Sequence, residues 1–211
     1  MKKVLAVLLC MVVCLQGINV LAYIDYSDVG EEYTDATDIL SNLKIMIGFD
    51  DGTFHPNDAL TRAEAATIMV RLLGKDNWVS PGEASFTDVE STHWAADYIY
   101  RAEANGIING MGDGTFAPDS PLTREQAVTM LGRVYELVLT NAISGGEGLP
   151  RESVLSFTDH WNISDYAKNY VYFFAGLSIV DGMGDGSFAP KSNMTREQAI
   201  KVAAVTAGTL G

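Results

Sequence analysis

Cysteine and histidine are scarce in this sequence. The 211 residues include two cysteines, Cys10 and Cys14, and three histidines, His55, His93 and His160. Both cysteines lie in the apolar N-terminal run, so the rest of the chain offers no disulfide and no thiol chemistry. The histidines stand at unrelated positions, with no Ser-His-Asp order or metal-ligand spacing around them. We therefore expect no enzyme, no cofactor and no metal, although a glycosidase-like pair of carboxylates stays an open alternative.

Basic residues and long apolar runs are scarce as well. The chain has 14 Lys and Arg against 27 Asp and Glu, a net charge of −13. That much negative charge argues against nucleic acid and anionic lipid as partners. The apolar run from Val4 to Leu15 has 12 residues, whereas a membrane span needs about 20. With Lys2 and Lys3 before it, the run predicts a signal peptide over 1–22, a secreted chain and no membrane insertion.

What the sequence has instead is a motif that occurs three times. Each copy is an Asp-Gly loop with a Phe and a Pro, followed by Thr-Arg. The copies are Asp51–Pro56 with Leu60–Glu64, Asp113–Pro118 with Leu122–Gln126, and Asp185–Pro190 with Met194–Gln198. The Asp-Gly pairs lie 62 and then 72 residues apart (113−51 and 185−113), while the spacing inside each copy is constant. This regularity indicates an array of similar supersecondary units.

The residues of one copy predict a turn that leads into a helix. Asp-Gly forms a tight turn, because glycine adopts positive φ without steric cost. The Phe is an apolar anchor in a polar loop. Each Thr (Thr61, Thr123 and Thr195) has a Glu or Gln three residues later, the pattern of a capping box. We therefore expect a helix to begin at each Thr, with an earlier helix in the same repeat.

The earlier helix is predicted from apolar residues at helical spacing. In the second repeat it covers about Trp94 to Ala104, with Trp94, Tyr98 and Ile99 on the core-facing side. Tyr166 takes the place of Trp94 in the third repeat. A wall of a groove is an alternative place for Trp94. Polar, Gly-rich linkers are expected at 75–85 and 141–156.

An arginine follows each capping threonine. Arg62, Arg124 and Arg196 fall at the first helical position, where the helix dipole disfavours a cation. The equivalent loop residues are Asn57, Asp119 and Lys191, so no acid recurs to pair with them. An Arg beside the free N–H groups of a helix start suits a carboxylate or phosphate. We expect an anion site in preference to a surface ion pair, and nearly unchanged folding if the arginine is removed.

An aromatic-x-Asp motif opens each repeat and a glycine precedes each Asp-Gly loop. The acids are Asp28, Asp88 and Asp159, and the glycines are Gly48, Gly110 and Gly182. The Asp is favoured as a turn former or cap for the next helix over a ligand-binding role. Calcium binding is disfavoured, because the loops lack the alternating acids and the final Glu of an EF-hand.

Taken together, these motifs resemble the S-layer homology (SLH) domain. Aromatic-x-Asp, Gly-Ile-Ile-x-Gly, Asp-Gly-Thr-Phe-x-Pro and Leu-Thr-Arg-Ala-Glu carry the resemblance, and we place the repeats at 25–74, 86–140 and 157–210. It implies a mainly α fold of two helices and a loop per repeat, packed with pseudo-threefold symmetry. It also implies grooves that bind secondary cell-wall polysaccharide, in particular pyruvylated N-acetylmannosamine. The predicted ligand-binding residues are Arg62, Arg124, Arg196, Trp94, Gly48, Gly110, Gly182 and Asp88.

The predicted function is non-catalytic anchoring at the bacterial cell wall or S-layer. The alternative is a wall-associated adaptor or S-layer assembly component that contacts other surface proteins without its own glycan site. The second and third repeats depart from the family pattern by reading Thr-Arg-Glu-Gln, which adds Glu125 and Glu197. The first repeat lacks the helix Trp. These departures make one groove a candidate for degeneracy, in repeat one or three before repeat two.

Overall fold

The protein is built from pairs of short helices. The computed structural model describes residues 26–74, 82, 85–142 and 157–210. Over these ranges it has six α-helices and a 3-10 turn at His160–Asn162. The helices are α1 (Thr34–Asn42), α2 (Arg62–Leu72), α3 (Ala96–Ala104), α4 (Arg124–Ala142), α5 (Asp165–Gly176) and α6 (Arg196–Leu210). The described residues form isolated β-bridges but no strand. The mainly α fold with two helices per repeat is confirmed, and the predicted signal peptide lies outside the described residues.

The second helix of each repeat begins where its threonine cap predicts. Thr61 Oγ1 accepts from the N–H of Glu64 at 3.2 Å, and the Glu64 carboxylate accepts from the N–H of Thr61 at 2.8 Å. Thr123 and Gln126 form the same reciprocal pair at 3.4 and 3.1 Å. α6 likewise begins at Arg196, directly after Thr195. The α4 helix continues to Ala142, two residues into the segment that was predicted as a linker.

The Asp-Gly loops adopt one conformation three times. Gly52, Gly114 and Gly186 have φ of 81°, 88° and 86°, which a residue with a Cβ rarely adopts. The aspartate before each glycine accepts from the backbone N–H two residues on, at 2.9 to 3.0 Å. The phenylalanine anchors (Phe54, Phe116 and Phe188) are at most 1% exposed. The predicted turn and anchor are both confirmed.

The chain forms two compact units. One consists of the chain up to Asp58 together with the segment from Arg196 on, and the other runs from Ala59 to Thr195. In the first unit α1 packs on α6. In the second unit α2 packs on α3 and on α4, and α4 packs on α5. In each unit a second helix of one repeat therefore packs on the first helix of another repeat, so the repeats share their cores.

A three-way junction lies inside the second unit. The N–H of Leu60 donates to Met194 O at 2.8 Å, that of Leu122 to Leu60 O at 2.8 Å, and that of Met194 to Leu122 O at 2.9 Å. The three side chains are at most 4% exposed. Three antiparallel bridges flank them, at Ala59–Thr195, Thr61–Pro121 and Thr123–Asn193. Each repeat thus supplies the residue before its cap to a junction with threefold regularity.

Candidate functional site

The three motif arginines are buried and bind backbone carbonyls. Arg62, Arg124 and Arg196 are 5 to 6% exposed. Arg62 Nε donates to Phe116 O at 2.6 Å, and its Nη2 donates to Asn109 O at 3.1 Å. The guanidinium carbon also lies 4.5 Å from the centre of the Phe116 ring. The loop of the second repeat therefore holds the arginine of the first repeat.

The same contacts recur for the other two arginines. Arg124 donates to Phe188 O at 2.9 Å and to Asp181 O at 2.8 Å. Arg196 donates to Phe54 O at 2.8 Å and to Ile47 O at 3.0 Å. These structural contacts could not be predicted from the sequence, because the acceptors are backbone oxygens and not acidic side chains. Burial lowers the pKa of Arg124, and nearby Asp159 partly offsets this effect, so the guanidinium stays charged.

The helix starts that precede these contacts are not free to bind an anion. At α2 the N–H of Arg62 donates to Ser120 O at 3.0 Å, and that of Ala63 donates to Pro118 O at 2.9 Å. The N–H of Glu64 is taken by the cap. The equivalent pairs at α4 and α6 are Arg124 with Ser192, Glu125 with Pro190, Arg196 with Asp58 and Glu197 with Pro56. The expectation of an anion on the helix N–H groups is wrong, because carbonyls of another repeat already accept from them.

The aspartate of each aromatic-x-Asp motif clamps the Asp-Gly loop of its own repeat. Asp88 accepts from the N–H of Phe116 at 2.8 Å and from that of Ala117 at 2.7 Å. Asp28 and Asp159 make the equivalent pairs, all at 2.8 Å. The second N–H in each pair belongs to a non-glycine residue with φ of 54° to 56°, a strained conformation that needs support. The predicted structural role holds, but the partner is a loop and not the next helix.

The recurring glycines sit under the aromatic residue of the same motif. A Cβ on Gly110 would lie 2.6 Å from Phe86 Cε1 and 2.6 Å from Thr115 O. A Cβ on Gly48 would lie 2.1 Å from the Tyr26 ring. Gly182 is equally confined, because a Cβ there would lie 2.7 Å from Ser187 O. Only glycine fits at these positions, whether or not a ligand contacts them.

One groove brings several of these residues together inside the second unit. It has a volume of about 360 Å³, and we call it the Arg62 groove. Its lining consists of Arg62, Ile108, Asn109, Gly110, Met111, Gln126, Thr129, Met130, Arg133 and Tyr166. All three repeats therefore contribute. Of the predicted site residues, Arg62 and Gly110 meet here, whereas Trp94 is 60% exposed beside His93 and is not part of the lining.

The lining of the Arg62 groove contains two arginines and no carboxylate. Arg133 Nη1 donates to Ile107 O at 3.3 Å. In the orientation that satisfies both ends of the Asn109 amide, its oxygen accepts from Arg133 Nη2 at 2.9 Å. Within the described ranges, no carboxylate lies within 4.0 Å of Arg62 or Arg133. The groove is thus a local positive site in an acidic chain.

Tyr166 is fixed at the edge of the groove by a buried acid. Glu125 is 3% exposed and accepts from Tyr166 OH at 2.8 Å, from the N–H of Ser164 at 3.0 Å and from Lys191 Nζ at 2.5 Å. Burial alone would raise the pKa of Glu125, but hydrogen bonds from Lys191, Ser164 and Tyr166 together outweigh it, so the pKa lies below its usual value. Burial and then the hydrogen bond to Glu125 raise the pKa of Tyr166 to about 12.

Comparison with known proteins identifies the repeats. The S-layer homology domain model matches residues 25–66, 85–128 and 156–200. The chain belongs to the S-layer homology domain family. Its three SLH repeats are 35% identical over 178 residues to an amylopullulanase of Thermoanaerobacterium thermosulfurigenes, covering 84% of this chain and 9% of that protein.

Other SLH relatives carry surface-protein names. A cellulosome-anchoring protein of Acetivibrio thermocellus is 29% identical over 72% of this chain and 33% of its own length. The surface-layer 125 kDa protein of Lysinibacillus sphaericus is 28% identical over 82% of this chain and 14% of its own length. The chain spans only 7% to 16% of the length of four of its relatives, the amylopullulanase among them. The family and these surface-layer relatives place the SLH chain at the cell wall or cell surface.

Some residues of the SLH groove were missed by sequence reasoning. Arg133 lies beyond the recurring motif, and nothing in its spacing marked it. Tyr166 was predicted to face the core but is 51% exposed at the groove. The sequence did mark Glu125, because it stands where the family motif has Ala, but it did not indicate the bond to Tyr166. Among the residues with described positions, no cluster suits a metal and no helix is long and apolar enough for a membrane span.

Proposed function

We propose that this chain is a non-catalytic anchoring module that binds the secondary cell-wall polysaccharide through the Arg62 groove. The supporting observation is the pair of arginines without a carboxylate partner in the groove lining. The whole chain carries −13 charges, so its overall field repels an anionic polymer. Only a local cationic site can overcome that repulsion. The anionic group that we assign to it is the carboxylate of a pyruvylated N-acetylmannosamine unit.

The geometry of Arg62 leaves one edge of its guanidinium able to bind the carboxylate of the polymer. Nε and one proton of Nη2 are committed to Phe116 O and Asn109 O. Nη1 and the second proton of Nη2 form the other edge, which has no hydrogen-bond partner in the described part of the chain and is available to a carboxylate. The structural contacts hold this edge in place, so binding costs little side-chain entropy.

The remaining lining residues suit a sugar. The Tyr166 ring is half-exposed and its hydroxyl is tied to Glu125, which leaves a fixed aromatic surface for a sugar ring. Gln126 and Thr129 offer polar groups for hydroxyls. The volume of about 360 Å³ falls at the small end of the usual range for ligand pockets, about 300–1,000 Å³. The groove therefore accepts a short segment of a polymer.

The proposal extends to the equivalent residues of the other repeats. Arg124 and Arg196 make the same two carbonyl contacts as Arg62. Trp94 stands at the repeat position of Tyr166 and is exposed. Gly48 and Gly182 shape the backbone as Gly110 does. Asp88 acts through the loop that it clamps.

An enzyme activity is not part of this proposal. The relatives with enzyme names are matched by this chain over 9% to 28% of their length, so those names describe proteins with much additional sequence. The alternative function, an adaptor that contacts other surface proteins without a glycan site, predicts binding that does not depend on the wall polymer.

Sedimentation with purified cell walls tests the proposal. Walls with the pyruvylated polymer should retain the full chain, and walls stripped of it should not. Met111→Asp places a negative charge at the exposed rim of the groove and should weaken retention by about tenfold or more through repulsion of the polymer. Leu177→Asp is the matched control, because Leu177 is equally exposed but outside the groove. Equal retention on stripped walls would instead support the adaptor.

A further inference from the structure

Two guanidinium groups meet at one residue of the Arg62 groove. Arg62 Nη2 donates to the backbone oxygen of Asn109 at 3.1 Å, and Arg133 Nη2 donates to its side-chain oxygen at 2.9 Å. Both guanidinium groups therefore bond to the same residue, Asn109.

The acids nearest to this pair are engaged elsewhere. Burial lowers the pKa of Arg62, and Asp88 is the acid whose charge most offsets that effect, yet its two oxygens accept from backbone N–H groups. Glu125 pairs with Lys191. Glu136, three residues after Arg133, accepts from Tyr170 OH at 3.0 Å. Burial raises the pKa of this tyrosine, and Arg133 also acts on it, in the opposite direction, by lowering its pKa. Among the described residues no carboxylate forms an ion pair with either arginine, so both guanidinium groups can face a ligand.

The second arginine is a particular feature of this groove. The residue nine positions after the motif arginine is Arg71 in repeat one, Arg133 in repeat two and Val205 in repeat three. Arg71 is engaged otherwise, since its Nε and Nη2 lie 3.3 and 3.1 Å from Tyr98 OH and its guanidinium stacks on that ring at 4.9 Å. The third repeat has no cation at this position.

We propose that Arg133 forms a second anion subsite and that the Arg62 groove selects a sugar unit with two negative charges. This inference rests on the proposed function. Arg62 holds one anionic group and Arg133 holds the other. The shared chemistry is a pair of negative charges within one or two adjacent sugars, which either two carboxylates or a single phosphate monoester provides. A singly charged pyruvylated sugar fills half of the site.

Calorimetry on the full chain tests the charge preference with three probes. They are the monoanionic pyruvate ketal of N-acetylmannosamine, the same sugar linked to a uronic acid as a dicarboxylate, and N-acetylmannosamine 6-phosphate. At least one dianion should bind about tenfold tighter than the monoanion, a difference of about 1.4 kcal/mol. The tighter of the two dianions identifies the source of the second charge.

Variants of Arg133 locate the effect. Arg133→Gln should abolish the preference for dianions, because it removes the second cationic group of the groove. Arg133→Lys should keep part of the preference, and it replaces the Gln variant in the comparison if that variant does not fold. Arg71→Gln is the control, and it should keep the full preference.

The outcomes separate this inference from the proposed function. Equal affinity for all three probes, or an unchanged preference in Arg133→Gln, would overturn the second subsite while wall retention still supports the anchoring function. If the parent chain is not retained by cell walls that carry the polymer, both the anchoring function and the second subsite are overturned. Tighter dianion binding that Arg133→Gln removes and Arg71→Gln keeps is the supporting result.

Discussion

The guanidinium of Arg124 joins the second and third repeats, and its removal tests how strongly. It makes two hydrogen bonds to backbone oxygens, at 2.9 Å to Phe188 O and at 2.8 Å to Asp181 O. Hydrogen bonds to charged groups contribute about 1.5–3 kcal/mol each. At the lower end of that range, Arg124→Ala should reduce the free energy of unfolding by about 3 kcal/mol. For a chain of this size the melting temperature should fall by about 6–12 °C.

Thermal and urea denaturation, followed by circular dichroism at the helix band, measure this loss. Arg71→Ala is the control, because Arg71 stacks on Tyr98 and bonds its hydroxyl but bonds no backbone carbonyl of the described residues; the expected loss is about 1 kcal/mol or less. The free energy of unfolding of Arg124→Lys should lie between those of the parent and Arg124→Ala, since an ammonium lacks the planar fork that reaches both carbonyls. A normal melt for Arg124→Ala would refute the structural role assigned here and restore the expectation drawn from sequence.

Three further predictions follow from the caps, the glycines and the tyrosine. Thr123→Ala should lower stability by about 1 kcal/mol through loss of the cap, and an unchanged urea midpoint would contradict it. Gly110→Ala should cost about 1–3 kcal/mol, because the new Cβ meets a Phe86 ring carbon at 2.6 Å; a melt equal to that of the parent would count against the packing argument. The pKa of Tyr166 is raised to about 12, so its contribution to stability is present below the ordinary tyrosine pKa of about 10 and is lost as pH rises through 12. The ultraviolet titration of Tyr166→Phe should differ from that of the parent near pH 12, and a difference complete by pH 10 would disprove the shift.

The helix starts and loops could be predicted because their signals are local. Thr61 and Glu64 are three residues apart, and the turn at Gly52 follows from its own sequence. The partners of Arg62 could not be predicted in the same way. They are backbone oxygens 47 and 54 residues away along the chain, and a carbonyl leaves no mark in the amino-acid sequence. The lack of a recurring acid therefore indicated a ligand, although backbone carbonyls are the partners of the arginine in the fold.

The groove wall was misread for a related reason. Trp94 was placed on a helical stripe that faces the core, but α3 begins at Ala96 and Trp94 precedes it. Tyr166 is the second residue of α5, where the helix has too few neighbours to bury it. Periodicity identifies the core-facing side within a helix, as it does for Ile99, which is fully buried. It gives no information about residues at or before the helix start.

The junction of Leu60, Leu122 and Met194 also constrains how the chain reaches its native state. Leu60 and Met194 are 134 residues apart (194−60), yet their backbones hydrogen-bond directly. Contacts of such high sequence separation slow folding, because loop-closure entropy is lost before they form. Until Met194 has been synthesised, the N–H of Leu60 and the carbonyl of Leu122 lack their partners. The first two repeats therefore reach their full set of junction hydrogen bonds only when the third repeat is present.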